Sequence, residues 1–181
     1  MCHTNRYIVA RQKKMKPYHD EEFSVNTAIE QKRKRLKRFV NFYPPFLGAG
    51  VRIKEISEDL RTIEVHMPLR FWNKNYVGTH FGGSLYAMCD PFFMLILIHS
   101  LGPEYIVWDK AATIRFKRPG NGPVKAVFHI PQERIDDIRV QADAQGKIEP
   151  QFQTVVTDSE GTVIAEVDKL LYVRRKKPGE K

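Results

Sequence analysis

The chain has 181 residues, of which 42% are apolar and 28% are charged, and its formal net charge is +9. A chain of this length and composition can bury the core of one globular domain, which excludes a largely disordered or fibrous protein. A basic excess of this size is also typical of proteins that bind nucleic acid or an anionic membrane surface.

The chain begins with a basic leader and ends with a basic tail. Residues 1–40 hold 11 Lys and Arg against 4 Asp and Glu, and residues 174–181 hold 5 against 1, which leaves residues 41–173 with 14 against 16. Residues 1–24 lack sustained periodicity and are interpreted as flexible. Because charge runs at chain ends are commonly solvated, we expect the function to lie in residues 41–173. Polyanion binding through the basic ends stays open as an alternative, without a specific nucleic-acid partner.

A short helix and a hairpin follow the first part of the leader. Ser24 or Asn26 is expected to cap this helix, and the proline pair that begins at Pro44 ends it. Apolar and polar residues then alternate with a period near two over residues 51–56 and 60–67. This alternation predicts a β-hairpin.

One long apolar segment predicts a central helix. It runs from Gly82 to Ser100 and stops before a Gly-Pro pair, and apolar residues surround it on most sides. Pro91 removes an N–H group within the helix and favours a kink beside Asp90. The longest apolar run, residues 92–98, is far shorter than the roughly 20 residues that span a bilayer, so no membrane span is expected.

Cysteine usage and the N-terminus indicate the cellular compartment. Cys2 and Cys89 lie far apart in the sequence, so no disulfide or zinc framework is predicted. The N-terminus lacks the contiguous apolar segment of a secretory signal. We therefore expect a protein of the reducing cytoplasm.

Four β-strands are predicted after the central helix. They cover residues 105–116, 124–130, 152–157 and 163–173. A turn at Gly161 joins the last two, because glycine adopts positive φ at least cost. Residues 131–149 are polar and receive no predicted structure. Two strands, one helix and four strands predict an α+β fold, an antiparallel sheet wrapped around one long central helix.

The start of the central helix holds the residues most suited to chemistry. Gly82 and Gly83 lie where a loop enters the helix, so their N–H groups could polarise a carbonyl; alternatively, they serve a tight turn. Asp90 lies in the most apolar part of the chain, where a carboxylate is costly unless it is paired. Gly83, Tyr86 and Asp90 share one side of the helix. Asn75 supplies an amide that can donate and accept hydrogen bonds.

This segment resembles the hotdog-fold thioesterases of the phenylacetic-acid-pathway and 4-hydroxybenzoyl-CoA kind. Their motif reads approximately Asn, Gly-Thr, His-Gly-Gly and then Asp near the middle of the helix. The matching residues are Asn75, Gly78, Thr79, Gly82, Gly83 and Asp90. The closest resemblance is to domain of unknown function family 4442, to which residues 78–91 and 116–119 are similar. Phe81 stands where the thioesterases have His, and His80 directly precedes it.

The resemblance implies a hotdog domain over residues 41–173 that acts as an acyl-CoA thioesterase. In that interpretation the Gly82 N–H stabilises the oxyanion, Asp90 is the general base or the nucleophile, and Asn75 orients the water or the departing thiol. His80 and Gly83 complete the set of catalytic candidates. The resemblance also implies a homodimer, or a dimer of dimers, with the site between subunits: the Gly and Asn come from one and the Asp from the other.

Other residues are candidates for substrate binding. Lys117 and Arg118 end a predicted strand and could receive the phosphates of coenzyme A. Thr79, Phe81 and Tyr86 are added from the motif. We expect no metal, and no cofactor apart from the coenzyme A thioester as substrate. A non-catalytic acyl or acyl-CoA binding protein of the same fold remains the main alternative.

Overall fold

A computed structural model of the protein describes the backbone of residues 18–180 and the side chains of residues 27–180. The helices are α1 (Tyr18–Phe42), α2 (Pro44–Ala49), α3 (Gly82–Ala87), α4 (Phe92–Leu101) and α5 (Gln132–Gln145). The strands are β1 (Arg52–Ile56), β2 (Thr62–Met67), β3 (Tyr105–Phe116), β4 (Val124–His129), β5 (Lys147–Ile148), β6 (Gln151–Asp158) and β7 (Val163–Arg175). The predicted α+β class is confirmed.

The strands form one antiparallel sheet. Its order is β1-β2-β4-β6-β7-β3, and the short β5 pairs with β7. The predicted hairpin is β1 and β2, and the four strands predicted after the central helix are β3, β4, β6 and β7. The register between β3 and β7 shifts between Asp109 and Ala111, where β3 contains a bulge. The strands β1 and β3 are thus the two opposite edges of the main sheet.

The first helix begins earlier than the sequence predicts. It starts at Tyr18, so neither Ser24 nor Asn26 begins it, and it ends at Phe42 just before the predicted proline stop. Pro44 instead occupies the first turn of α2, where its missing N–H is not needed. The leader residues 1–17, with Cys2, lie outside the described residues.

The central helix is two helices, not one. Between α3 and α4, residues 88–91 form turns in which Cys89 N–H bonds to the Tyr86 carbonyl at 2.8 Å and Asp90 N–H to the Ala87 carbonyl at 3.3 Å. Pro91 has no N–H to continue the helix, and its carbonyl accepts from Leu95 N–H at 2.8 Å as α4 begins. The predicted kink beside Asp90 is therefore a full break.

Helix α4 packs against the sheet through aromatic rings. Phe92 and Phe93 are buried, and their ring centroids lie 4.9 and 5.2 Å from that of Phe128 on β4. Phe93 also stacks on Phe152 of β6 at 4.9 Å. By length and composition, residues 82–101 could cross a membrane, but half of this window is buried inside the protein. The segment is the helical core of the domain.

The segment left without a prediction contains α5. Ile135, Ile138 and Ala142 recur at helical spacing and are its buried residues. The other side chains of this helix are mostly polar, so a narrow apolar stripe attaches it to the domain.

Candidate active site

Asp90 lies in the break between α3 and α4, and 46% of its side chain is exposed. Its Oδ1 accepts hydrogen bonds from the Tyr86 hydroxyl at 2.8 Å and from Lys169 Nζ at 3.1 Å. Within the part of the chain that the structure describes, Oδ2 has no hydrogen-bond partner. The carboxylate is thus held through one oxygen, while nearly half of its side chain stays exposed. Its surroundings are less apolar than the sequence suggests, since a cation lies beside it.

That cation, Lys169, is fully buried. Its side chain has 0% exposure, and its Nζ lies 2.9 Å from Asp109 Oδ1 as well as 3.1 Å from Asp90 Oδ1. The Tyr86 ring covers it, with Nζ 5.3 Å from the ring centroid. Burial alone lowers the pKa of Lys169, but the ion pairs with Asp109 and Asp90 outweigh burial, and the net pKa is raised. We call Tyr86, Asp90, Asp109 and Lys169 the Asp90 cluster.

The pKa values of the neighbouring groups follow from the same arrangement. Burial raises the pKa of Asp109, and the Lys169 ion pair opposes that rise. Burial also raises the pKa of Tyr86, with a further contribution from its hydrogen bond to Asp90. The buried thiol of Cys89 has its pKa raised to about 12 by burial, so it is not a nucleophile at neutral pH.

Sequence reasoning missed Lys169 and Asp109, although β7 carries a signal. Every second residue of β7 faces the core: Ala165, Val167, Lys169, Leu171 and Val173. A lysine at such a position must be paired, because an isolated buried charge is very costly. The alternation therefore marks Lys169 as a residue with a special environment.

A groove of about 400 Å³ lies at the start of α3. Its lining comprises Asn75, Val77, Thr79, His80, Gly82, Leu85, Phe116, Lys117, Arg118, Pro119 and Gly120. We call this the Gly82 groove. It brings together most of the site residues predicted from the sequence but contains neither Asp90 nor Lys169, so the chain presents two separate sets of candidates.

Asn75 organises the loop at one wall of the groove. Its Oδ1 accepts from the N–H groups of Val77 at 3.1 Å and Thr79 at 3.0 Å. Its Nδ2 donates to Thr79 Oγ1 at 2.8 Å and to the His80 carbonyl at 3.3 Å. Both ends of the amide are therefore engaged in the turn, and Thr79 Oγ1 is engaged with them.

His80 is buried rather than a surface loop residue. Its side chain packs on Gly120, the residue is 3% exposed, and Nε2 donates to the Gly122 carbonyl at 2.9 Å. Among the described residues Nδ1 is buried without a partner. Burial lowers the pKa of His80, and the bond to Gly122 offsets only part of this effect. The imidazole is therefore neutral at pH 7, with the proton on Nε2 and the lone pair on Nδ1.

The two glycines that begin α3 lie beneath aromatic rings. A Cβ atom on Gly82 would lie 3.0 Å from Phe116 Cζ, and one on Gly83 would clash with Phe81 Cε1. Phe81 immediately precedes the helix, and its carbonyl accepts from Ser84 N–H at 2.9 Å. Glycine thus lets a flat ring lie directly on the backbone at this helix start.

Lys117 and Arg118 form the basic rim of the groove. Both backbone N–H groups bond to the Ile164 carbonyl, at 2.8 and 3.2 Å, which fixes the strand end. Lys117 Nζ lies 3.5 Å from Glu166 Oε1, whereas Arg118 has no ion pair among the described residues. The guanidinium of Arg118 is therefore the freer of the two cations for an anionic ligand.

Comparisons with known proteins identify the family and the fold. Residues 32–173 match the family described as "Domain of unknown function (DUF4442)". No curated protein matches the sequence.

Several solved structures resemble the chain. A Pseudomonas aeruginosa protein of unknown function, described as a "Probable Thioesterase", is 23% identical over 79% of this chain and 95% of its own, with a TM-score of 0.73. A Chlorobaculum tepidum protein of unknown function is 18% identical over 81% and 96%, with a TM-score of 0.66. A Haemophilus influenzae thioesterase is 16% identical over 79% and 90%, with a TM-score of 0.59. At these identities the likeness shows the fold, and the predicted hotdog fold is confirmed.

Proposed function

The chain belongs to the DUF4442 family, and from that membership and the geometry of its two candidate sets we propose that it is an acyl thioester hydrolase. The proposal rests on the Asp90 carboxylate, whose Oδ1 is held by Tyr86 and Lys169 and whose Oδ2 has no hydrogen-bond partner among the residues that the structure describes. The thioesterase named among the structural neighbours supports the same class of reaction.

The free carboxylate oxygen suits two routes to hydrolysis. As general base, Oδ2 takes a proton from water while the water oxygen bonds to the thioester carbonyl carbon. As nucleophile, Oδ2 bonds to that carbon itself and forms a mixed anhydride, which water then opens. In both routes the C–S bond breaks and the thiolate takes up a proton. The Gly82 N–H, at the first position of α3, donates to the oxyanion that forms.

The active site requires two protomers in this proposal. Asp90 is absent from the lining of the Gly82 groove, while β3 has twelve residues and, among the described strands, pairs only with β7. A long open edge is commonly covered in native proteins. Pairing of two β3 strands would form a homodimer in which Asp90 of one protomer completes the active site at the Gly82 groove of the other. Mixing Asp90→Asn with Gly82→Val chains should then restore activity to about a quarter of wild type, whereas a site within one chain would show no recovery.

The rim of the groove favours coenzyme A thioesters as the substrate class. Arg118 offers planar paired donors to phosphate oxygens, and Lys117 adds a second cation. The free, buried Cys89 and the proposed substrate are both compatible with a reducing cytoplasm, where we place the protein.

The first experiment measures thiol release from acetyl-, hexanoyl-, palmitoyl- and benzoyl-CoA. Asp90→Asn keeps the shape of the side chain and removes its basicity, so we expect kcat to fall by about 10²- to 10⁴-fold. Asp136→Asn is the matched control, because this exposed carboxylate on α5 bonds only to Gln132 in the described structure. Unchanged turnover in Asp90→Asn would remove this carboxylate from the mechanism.

A non-catalytic acyl-CoA binding protein is the second candidate. It is favoured by Asn75 and His80, because the amide of Asn75 and Nε2 of His80 serve structural hydrogen bonds in the loop. For this function, acyl-CoA should raise the melting temperature without release of thiol. Release of thiol that depends on Asp90 would decide for hydrolysis.

A further inference from the structure

The outer side of α1 and the turn into α2 form an exposed surface, called here the α1 surface. It consists of Lys34, Arg35, Arg38, Phe39, Phe42 and Tyr43, which line a groove of about 640 Å³ together with Gln31 and Pro44. It lies beside β1, at the edge of the sheet opposite β3. It is therefore remote from the strand edge used in the proposed dimer.

Aromatic rings on this surface are exposed, and Phe39 is connected to the core through ring contacts. Phe39 is 65% exposed and Phe42 is 70% exposed. Phe39 stacks on Tyr43 with ring centroids 5.8 Å apart, and Tyr43 meets Phe46 edge to face at 5.5 Å. Phe46 in turn stacks on the core residue Phe92 at 6.1 Å. A chain of rings thus leads from the core to the surface.

The opposite side of α1 attaches the helix to the domain. Leu36 and Val40 are buried there, and Arg33 donates to the Ile56 carbonyl from both Nε and Nη2, at 3.0 and 2.7 Å. On the outer side, Arg35 and Arg38 make no ion pair with any described residue. Two unpaired guanidinium groups therefore border the exposed rings.

We propose that the α1 surface binds an anionic lipid membrane. A helix that places phenylalanine rings beside unpaired cations suits the membrane interface, because the rings enter the acyl boundary while the cations meet lipid phosphates. Leu47, one helical turn after Tyr43, is also exposed and continues the apolar part onto α2. A lipid interface accommodates an aliphatic side chain, whereas a single-stranded nucleic acid stacks only on rings and planar groups.

Charge disfavours binding of two other partners to the α1 surface, namely the leader of the same chain and a second copy of the protein. The leader residues 1–17 carry five Lys and Arg and no Asp or Glu, so they repel the cations of α1. A second copy that docked through the same surface would place Arg35 and Arg38 against like charges. An anionic surface is complementary to both the leader and the helix.

The test is sedimentation of the full chain with vesicles. We expect binding to phosphatidylcholine vesicles that contain about 30% phosphatidylserine, weakening as salt increases, and little binding to phosphatidylcholine alone. The double variant Arg35→Gln/Arg38→Gln should bind about 25-fold more weakly, since each cation near an anionic leaflet contributes about fivefold. Phe39→Ser/Phe42→Ser should lose at least tenfold because the inserted rings are gone.

Control variants elsewhere on the protein show whether vesicle binding depends on the α1 surface or on any exposed cation or apolar side chain. Lys125→Gln removes an exposed cation from β4, and Val140→Ser removes an exposed apolar side chain from α5; both should bind vesicles like wild type. The proposal is overturned if the Phe39/Phe42 variant sediments like wild type, if no vesicle binds the chain, or if labelled single-stranded RNA binds more tightly through the same residues. Thiol release from soluble acyl-CoA should be unaffected in every variant.

Discussion

The Asp90 cluster and the Gly82 groove are built on different physical principles. In the cluster, a fully buried lysine ties two carboxylates and a tyrosine together through charge. In the groove, backbone contacts and self-contained hydrogen bonds of Asn75 and His80 define a shape. Asp90 Oδ2 has no hydrogen-bond partner in the described part of the chain, whereas the groove encloses a cavity of about 400 Å³.

This difference suits the cluster to the chemical step and the groove to positioning. A free charged oxygen can accept a proton or attack a carbon, while an engaged amide and a neutral imidazole mainly hold a loop in place. Variants in the cluster should therefore act through loss of ion pairs, and variants in the groove through close packing and burial, including the burial of the neutral His80 imidazole. Three variants with different expected effects test this distinction.

The largest effect is expected from Lys169→Met. The variant leaves Asp109 partly buried and without its cation, and loss of one partner of a buried ion pair costs about 3 to 5 kcal/mol of unfolding free energy. We expect a loss of about 3 kcal/mol, because Asp90 keeps access to solvent. Urea unfolding measures it, and Lys125→Met, an exposed lysine, should stay within about 0.5 kcal/mol of wild type. An equal loss of unfolding free energy in both variants would show that the ion pairs of Lys169 contribute no more to stability than an exposed lysine does.

A packing effect of intermediate size is expected in the groove. In Gly120→Ala the new Cβ would lie 3.0 Å from His80 Cδ2 and 3.3 Å from Ile164 Cγ2, both in tightly packed positions. Overpacking of this kind costs about 1 to 3 kcal/mol of unfolding free energy. Gly122→Ala is the matched control, because no atom of the described residues, apart from its chain neighbours, would lie within 4 Å of the new Cβ. Equal urea midpoints for the two variants would contradict a groove defined by close packing.

The smallest effect concerns the pH dependence of stability. Burial lowers the folded-state pKa of His80 below its unfolded value of about 6.5. The resulting stability is complete above that value and is lost as pH falls through the lowered folded pKa. In His80→Gln, the loss of unfolding free energy between pH 7 and pH 5 should be smaller than in wild type. Identical slopes would show that His80 is not the group that titrates.

Much of the fold follows from short-range patterns in the sequence. Period-two alternation predicts β1, β2 and the later strands, and Pro91 predicts a disturbance beside Asp90. Helix α5 is not predicted, because three buried residues give too weak a helical periodicity in a polar segment. The size of the break at Pro91 also depends on tertiary packing, since one proline alone could merely bend a helix.

The candidate site is less accessible to sequence reasoning. The motif places Asn75, Gly82 and their neighbours in one groove, since they are close in the chain. His80 is buried against Gly120 and Gly122, whose position relative to it depends on the whole sheet. The pairing of Asp90 with Lys169, 79 residues away, likewise arises only when the break between α3 and α4 lies against β7.

The bulge in β3 determines to which face of the sheet the side chains after it point. Asp109 reaches Lys169 and Phe116 covers Gly82, so both side chains point to the helical side of the sheet. The two residues are separated by an odd number of positions, and a regular strand would send them to opposite faces. One extra residue between Asp109 and Ala111 restores the match. A single-residue deletion there would thus uncouple the ionic cluster from the groove, even though it removed no side chain from either.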